Sequence, residues 1–491
     1  MNLHRIFPIG LTLLFSGALA PAQEAPIEPS KAASQDPFAP EDPPTETVDP
    51  FAPEQPRRPP MPTPGGRSQP DDPFLKNVDP GQNDSPDALI LFETFRVPAA
   101  RFREFERIHP FHVDATPLRH EVQAWVEAGE ASLRQSGFVR GRSGELAQLE
   151  SGLELIYPIE FDPPDVPGQA AAPTSFDVRQ CGFTFEVEAM VSPDAGALDV
   201  SLVVESVNYV GSEFRQLVNP GGSIEADDVM VPRFHSTRRK ATVNLAAGSW
   251  VLADVRAPLN DGGDLEPDFR ELTFLSGDAA PLPERAATEP SEAAHSQVRL
   301  EWITAGATDV SAWILANGIP DCTRGLWHAV EDWIDAGAAI VMHTDVMVAA
   351  SGQEIRSQTS GEFIYAIEWD PPGNLPGSGE LSIPATPTAF EVRNTGANSA
   401  VSPLIMGSVA YLGIAAEIVR HTRWSTHHRS FIEGEWIVDV QSPEFYVIRL
   451  SAGVRIPEGE AVLAGMMIPP DAEGRSDLAK RVLLFVRADA H

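Results

Sequence analysis

Residues 118–129, LRHEVQAWVEAG, return as residues 326–337, LWHAVEDWIDAG, and residues 154–164, ELIYPIEFDPP, return as residues 362–372, EFIYAIEWDPP. Both pairs share one offset of 208. Over the ungapped 47-residue block that starts at 118 the copies are identical at 17 positions, too many for a chance alignment of this length. Among the kept residues are Leu118, His120, Val122, Trp125, Ala128 and Gly129 against Leu326, His328, Val330, Trp333, Ala336 and Gly337, then Glu154, Ile156, Tyr157, Ile159, Glu160 and Asp162 against Glu362, Ile364, Tyr365, Ile367, Glu368 and Asp370. A repeat of this period means two copies of one domain, each long enough to hold a core.

The match extends outward from that block. Pro173, Phe176, Arg179 and Gly182 recur as Pro387, Phe390, Arg393 and Gly396 at an offset of 214, and Pro232, Phe234, Gly248, Leu252 and Phe274 recur as Pro443, Phe445, Gly459, Leu463 and Phe485 at 211. Upstream, Ile90, Glu93 and Phe105 face Val298, Glu301 and Trp313. The copies are drawn at 88–277 and 297–491.

Within each copy the period changes. Leu118, Val122, Trp125 and Val126, and likewise Leu326, Val330, Trp333 and Ile334, form the apolar stripe of a short helix that Gly129 or Gly337 would cap. Farther on, Leu155, Tyr157, Ile159 and Phe161 alternate, as do Phe363, Tyr365, Ile367 and Trp369, before Asp-Pro-Pro stops the strand. Further alternating runs lie at 183–190, 198–207, 241–255 and 454–464. The expected fold is α+β and β-dominated: two tandem homologous modules, each a short helix or two placed before a mainly antiparallel sheet.

The flanking segments have a different composition. His4 and Arg5, the apolar run Ile6 to Phe15 and the small residues Ala20-Pro21-Ala22 form a signal-peptide pattern over 1–22, too short to span a bilayer. Residues 21–88 hold 18 of the 46 prolines, with Asp36-Pro37-Phe38-Ala39-Pro40-Glu41 repeated from Asp49 to Glu54. Proline at that density removes backbone donors, so 23–87 reads as a disordered Pro-rich linker. A shorter Ala/Pro/Glu-rich linker, 278–296, separates the copies.

A formal charge of −34 argues against nucleic acid and anionic membranes. The basic clusters Arg238-Arg239-Lys240 and His421 to Arg429 read as solvated strand faces. Cys181 and Cys322 occupy non-equivalent places. In an exported chain they could close a disulfide, or each could be a small core residue. The repeated acids Glu160/Asp162 and Glu368/Asp370 are the best general acid–base candidates, against a plain solvated strand end. His120 and His328 recur without metal-ligand spacing, and His421, His427 and His428 have no counterpart in copy one. No catalytic, cofactor-binding or metal-ligating residue is assigned, and no enzyme activity, cofactor or integral membrane helix is expected.

The segment from Phe390 to Gly396, the run Pro457-Glu458-Gly459-Glu460-Ala461-Val462-Leu463-Ala464-Gly465 and the closing strand Arg481-Val482-Leu483-Leu484-Phe485-Val486 follow a helix and a Glu-x-Ile-Tyr strand. In that order they are similar to the core of the secretins, outer-membrane proteins of bacterial secretion systems. The chain departs from that family in its doubled core, its proline tether and the lack of an evident alternating hairpin of about 10 residues per strand for a lipid face. The resemblance implies a secretin-like sheet module able to associate with other envelope proteins or with itself through sheet edges. It therefore implies a non-catalytic exported assembly or scaffold component of the periplasm or outer membrane, linked to protein secretion. Two other readings are a glycan- or protein-binding module using Trp424 and Trp436, and a hydrolase using the repeated carboxylates.

Overall fold

A computed structural model describes residues 86–490, except 110–113, 163–170, 218–226, 261, 282–294, 322–324, 375–380 and 433–434. The signal-peptide and Pro-rich segments, most of the second linker and Cys322 lie outside the described residues.

Copy one runs β1 (Asp87–Pro98), α1 (Ala99–Ile108), α2 (Thr116–Glu127), β2 (Ser132–Arg142), β3 (Leu146–Asp162), β4 (Ala172–Val191), β5 (Ala197–Leu217), β6 (Asp227–Ala246), β7 (Trp250–Arg256) and β8 (Phe269–Ala279). Copy two repeats the order as β9 (His295–Gly306), α3 (Ala307–Asn317), α4 (Leu326–Asp335), β10 (Ile340–Ala350), β11 (Ile355–Asp370), β14 (Thr386–Met406), β15 (Val409–Ile432), β16 (Glu435–Pro457), β17 (Ala461–Met467) and β18 (Lys480–Ala490). A small ribbon, β12 (Gly373–Asn374) with β13 (Leu381–Ile383), is inserted after β11. The β-dominated α+β fold is thus present, and the helix stripes fall on α2 and α4.

Both helices end on the same motif. Gly129 and Gly337 sit at φ +72° and +73°, a region open to glycine at little cost. Beyond them, Glu130 N–H reaches back to the Trp125 carbonyl and Ala338 N–H to the Trp333 carbonyl, closing the last turn.

The strands form two eight-stranded antiparallel sheets. The first has the order β10-β9-β18-β17-β2-β1-β8-β7 and the second β11-β14-β15-β16-β3-β4-β5-β6. One face of the first sheet packs Leu89, Leu91, Phe274 and Phe485 against the helix stripes Leu118, Val122, Leu326 and Val330. The opposite face packs Ile90, Phe92, Trp302 and Val462 against Leu149, Phe183, Phe185 and Leu450 of the second sheet. The layers are therefore helix, sheet, sheet. The middle layer is apolar on both faces, which explains why β1 reads as a nearly continuous apolar run.

The copies do not stand apart. Both belong to one compact unit, and each sheet passes through both copies, so the two main clusters draw residues from each. Far-end strands of the second sheet are also much longer than the sequence pattern suggested. β5 and β6 span 21 and 20 residues and β15 and β16 span 24 and 23. Their alternation is masked because the sheet curls at its far end and buries what is its outer face elsewhere. There Glu368 of β11 meets Ser175 of β4, and Ile156, Tyr365, Val419, Phe445 and Val447 form a small separate core. The bend has a cause in the sequence: a Cβ on Gly182 would lie 2.2 Å from the Ser151 carbonyl oxygen, and one on Gly396 would lie 2.1 Å from that of Thr359. The repeated Gly182/Gly396 pair marks where neighbouring backbones approach too closely for a side chain.

Candidate interaction surfaces

The joint between copies is made by strand pairing in both sheets. In the first, Gly465 and Met466 of β17 pair with Val139 and Phe138 of β2. In the second, β16 pairs with β3 from Phe445 opposite Glu154 to Ser451 opposite Gln148. The joint is head to tail: copy two offers β17 and β16, and copy one receives them on β2 and β3.

Charged pairs gather along this joint, buried beside the first sheet and part-exposed on the second. Arg119 of α2, fully buried, donates from Nε to Glu93 Oε2 at 2.8 Å and from Nη2 to the Ser311 hydroxyl of α3 at 2.7 Å, while Ser311 donates to Glu93 Oε1 at 2.7 Å. Its guanidinium also lies 4.5 Å from the Phe95 ring centroid. Asp87 accepts from Arg140 Nε and from the Arg455 main-chain N–H, both at 2.8 Å. On the second sheet Arg393 makes a two-pronged contact with Glu154 at 2.9 and 2.8 Å, and Arg449 bridges Glu150 and Glu417. Burial pushes the Glu150 carboxyl up, and Arg449 opposes that shift.

Sequence reasoning named Glu93, Glu154 and Arg393 only as repeated residues, and it passed over Arg119, Arg140, Glu150 and Asp87, which the copies do not share: they correspond to Trp327, Val348, Gln358 and His295. Position-by-position divergence was the available signal.

Two further half-joints remain at the ends of the sheets. β7 and β6 are the counterparts of β17 and β16, and β10 and β11 those of β2 and β3, yet β7, β6 and β10 lie at outer edges, and β11 ends its sheet with a bridge to β4 at Glu368. Val346 of β10 is 55% exposed, whereas its counterpart Phe138 is fully covered in the joint. Ile340, Val341 and Val348 on the same strand are also exposed. On the other side, Leu450, Gly465 and Met467 are replaced at the outer edge by Arg239, Asp254 and Arg256, which pair locally as Arg239–Asp254 and Arg256–Glu271.

The residues singled out in the sequence take varied places. Glu160 and Glu368 both pair with Ser175, one on each side of β4, so the two repeats bring these acids into one row, exposed to solvent. Asp162 and Asp370 are exposed at the strand ends. His120 is exposed on α2, and His328 lies beside Glu331 on the surface of α4. The Arg238-Arg239-Lys240 cluster splits across β6, with Arg238 and Lys240 exposed and Arg239 turned to Asp254. Cys181 is a buried free thiol, and burial pushes it up to about 12.

The histidines do not converge. His421 stacks on Phe363, His428 Nδ1 lies 2.9 Å from Asp439 Oδ1, and His427 Nε2 lies 2.7 Å from the Ser442 hydroxyl. Among the described residues no group of three or more His, Cys, Asp or Glu side chains could hold a metal. Burial raises the Asp439 carboxyl, but hydrogen bonds from His428, Ser430 and the Ala385 N–H outweigh it and hold the group low.

A cleft of about 100 Å³ with a mixed lining opens beside His427, bounded in part by Tyr157, Tyr209, Met230, Arg423 and Glu444. Its carboxylate, Glu444, already accepts from Arg423 Nε at 2.8 Å and from the Ser425 hydroxyl. The Ser442 hydroxyl lies within hydrogen-bond distance of both the Ile156 carbonyl, at 3.2 Å, and His427 Nε2, at 2.7 Å. Burial brings the His427 imidazole down to about 4, which keeps the ring neutral near pH 7.

No protein-family model and no curated protein matches this sequence. Among the described residues no helix is long and apolar enough to cross a membrane.

Proposed function

We propose that this protein is a non-catalytic assembly component, exported to the bacterial envelope, whose double-sheet unit joins neighbours through strand edges. The observation that supports it is the joint inside the chain. One copy already binds the next by adding strands to both sheets at once, and the outer edges of the first sheet, β10 and β7, offer the same pairing positions again. The secretin resemblance agrees with this reading, since it too points to sheet-to-sheet association. Light scattering of the purified chain together with fractionation of the cell envelope tests it: association with itself or with an envelope fraction is expected, and a monomer found only in the soluble fraction would sink it.

A second reading rests on Trp424 and Trp436, 44% and 70% exposed near the end of the β15–β16 hairpin. Aromatic faces at such a tip suit stacking on a sugar ring or a protein side chain. It predicts a tryptophan fluorescence change on adding envelope glycan, lost in Trp436→Ala. An unchanged spectrum across such glycans would remove it.

A further inference from the structure

We infer that a second copy of this chain docks on the outer edge of copy two through the helix layer and the first sheet, with α1 of the incoming chain against α4. This rests on the self-assembly reading above and names the surface that carries it.

The internal joint supplies the template. There α2 receives α3, with Arg119 touching Ser311, while Met466 of β17 pairs with Phe138 of β2. Carrying both contacts one repeat outward places Trp327 of α4 against Arg103 of α1 from the next chain, and Val346 of β10 against Val255 of its β7. Val255 and Val346 are both exposed apolar side chains on edge strands, as that pairing needs.

Charge makes the helix contact specific. One turn farther along the same stripes, Arg107 follows Arg103 on α1, and Glu331 and Asp335 follow Trp327 on α4. All four charged residues are exposed. In the internal joint the corresponding positions are Ser311 and Leu315 on α3 and Gln123 and Glu127 on α2, so the outer surfaces carry a basic pair and an acidic pair where the joined helices have one acid and three neutral residues. A cation over the Trp327 ring adds a second attraction. In a chain of net charge −34, a basic stripe on α1 facing an acidic one on α4 favours contact between unlike ends over contact between like ends.

The second sheet does not carry this contact. The template would bring Lys240 of β6 opposite Arg356 of β11, two like charges where the internal joint has Ser451 opposite Gln148, and Arg239 opposite Ser357 where it has Leu450 opposite Leu149. The interface is heterologous, so successive chains close into a ring or run on as a filament according to the rotation at each joint.

The test uses the mature chain and two charge-reversed variants, Arg103→Glu/Arg107→Glu and Glu331→Arg/Asp335→Arg. Sedimentation velocity at up to about 100 µM, a range that detects micromolar to sub-millimolar association, should show the unmodified chain associating. Each variant alone should stay monomeric, with its association weakened at least about tenfold, while its circular dichroism and melting temperature are unchanged. An equimolar mixture of the two should associate again, because each restores the other's charge pairing. A chain that associates regardless of both reversals would leave self-assembly standing on another surface and overturn this one. A monomeric chain that still fractionates with the envelope would overturn this inference and leave assembly with another protein. A monomeric soluble chain would overturn both.

Discussion

Removing Glu93 should damage the protein more than removing Arg119, although the two form one ion pair. Glu93 lies between two buried cations. It accepts from Arg119 and Ser311, and its charge also opposes the burial that brings the fully buried Arg481 guanidinium down to about 10. Breaking a buried ion pair from one side costs roughly 3–5 kcal/mol, because the remaining charge is left uncompensated. Arg119→Met leaves Glu93 with Arg481 and the Ser311 hydroxyl and keeps an apolar body over Phe95, so about 3 kcal/mol is expected. Glu93→Gln leaves two buried cations facing a neutral amide, so about 5 kcal/mol is expected. The double variant should cost no more than Glu93→Gln alone, giving a coupling of about 3 kcal/mol in the cycle. Guanidinium unfolding at pH 7, followed by tryptophan fluorescence with the slope checked for constancy, measures all three. Additive losses near 8 kcal/mol, or a larger loss for Arg119→Met than for Glu93→Gln, would refute the reasoning.

Gly182→Ala should cost roughly 3 kcal/mol or more, since its Cβ would meet main-chain atoms of Ser151 and Gly152 at 2.2 and 2.3 Å, while Gly129→Ala, strained in φ but facing open space, should cost about 1 kcal/mol; thermal melts of both separate the two causes. His427 should make stability fall in mild acid. Its imidazole titrates near 4 when folded against about 6.5 when unfolded, so its contribution is complete above pH 6.5 and is lost as pH falls through 4, on the order of 3 kcal/mol. His427→Gln should flatten that part of the stability–pH curve, and an unchanged curve would show that the ring is not held neutral. In a Cys322→Ser background, Cys181 should resist alkylation at pH 8 until denaturant is added, because its buried thiol is pushed up to about 12; native-state labelling within minutes would contradict that burial.

The element order was legible because local signals were strong. The stripes of α2 and α4, their Gly129 and Gly337 caps and the Tyr157 and Tyr365 strands depend on neighbours a few residues apart, and both copies report them independently. Strand length was not legible. At the curled end of the second sheet Ile156, Phe445 and Val447 are buried on the face opposite Leu155 and Ile448, so the period-two contrast that marks a half-buried strand disappears.

By itself, then, the sequence determined a duplicated β-rich unit, its short helices and the glycines that cap them. Only the tertiary structure decided that the two units share their sheets, that the joint is head to tail, and that Arg119, Asp87, Arg393 and Arg449 hold it. The physical reason is that strand pairing is made by main-chain groups common to every residue, so an alternating strand pairs equally well with its own copy or with another. The choice among partners falls to charged and apolar side chains far apart in sequence, as Arg119 and Ser311 are, and these meet only once the chain has folded.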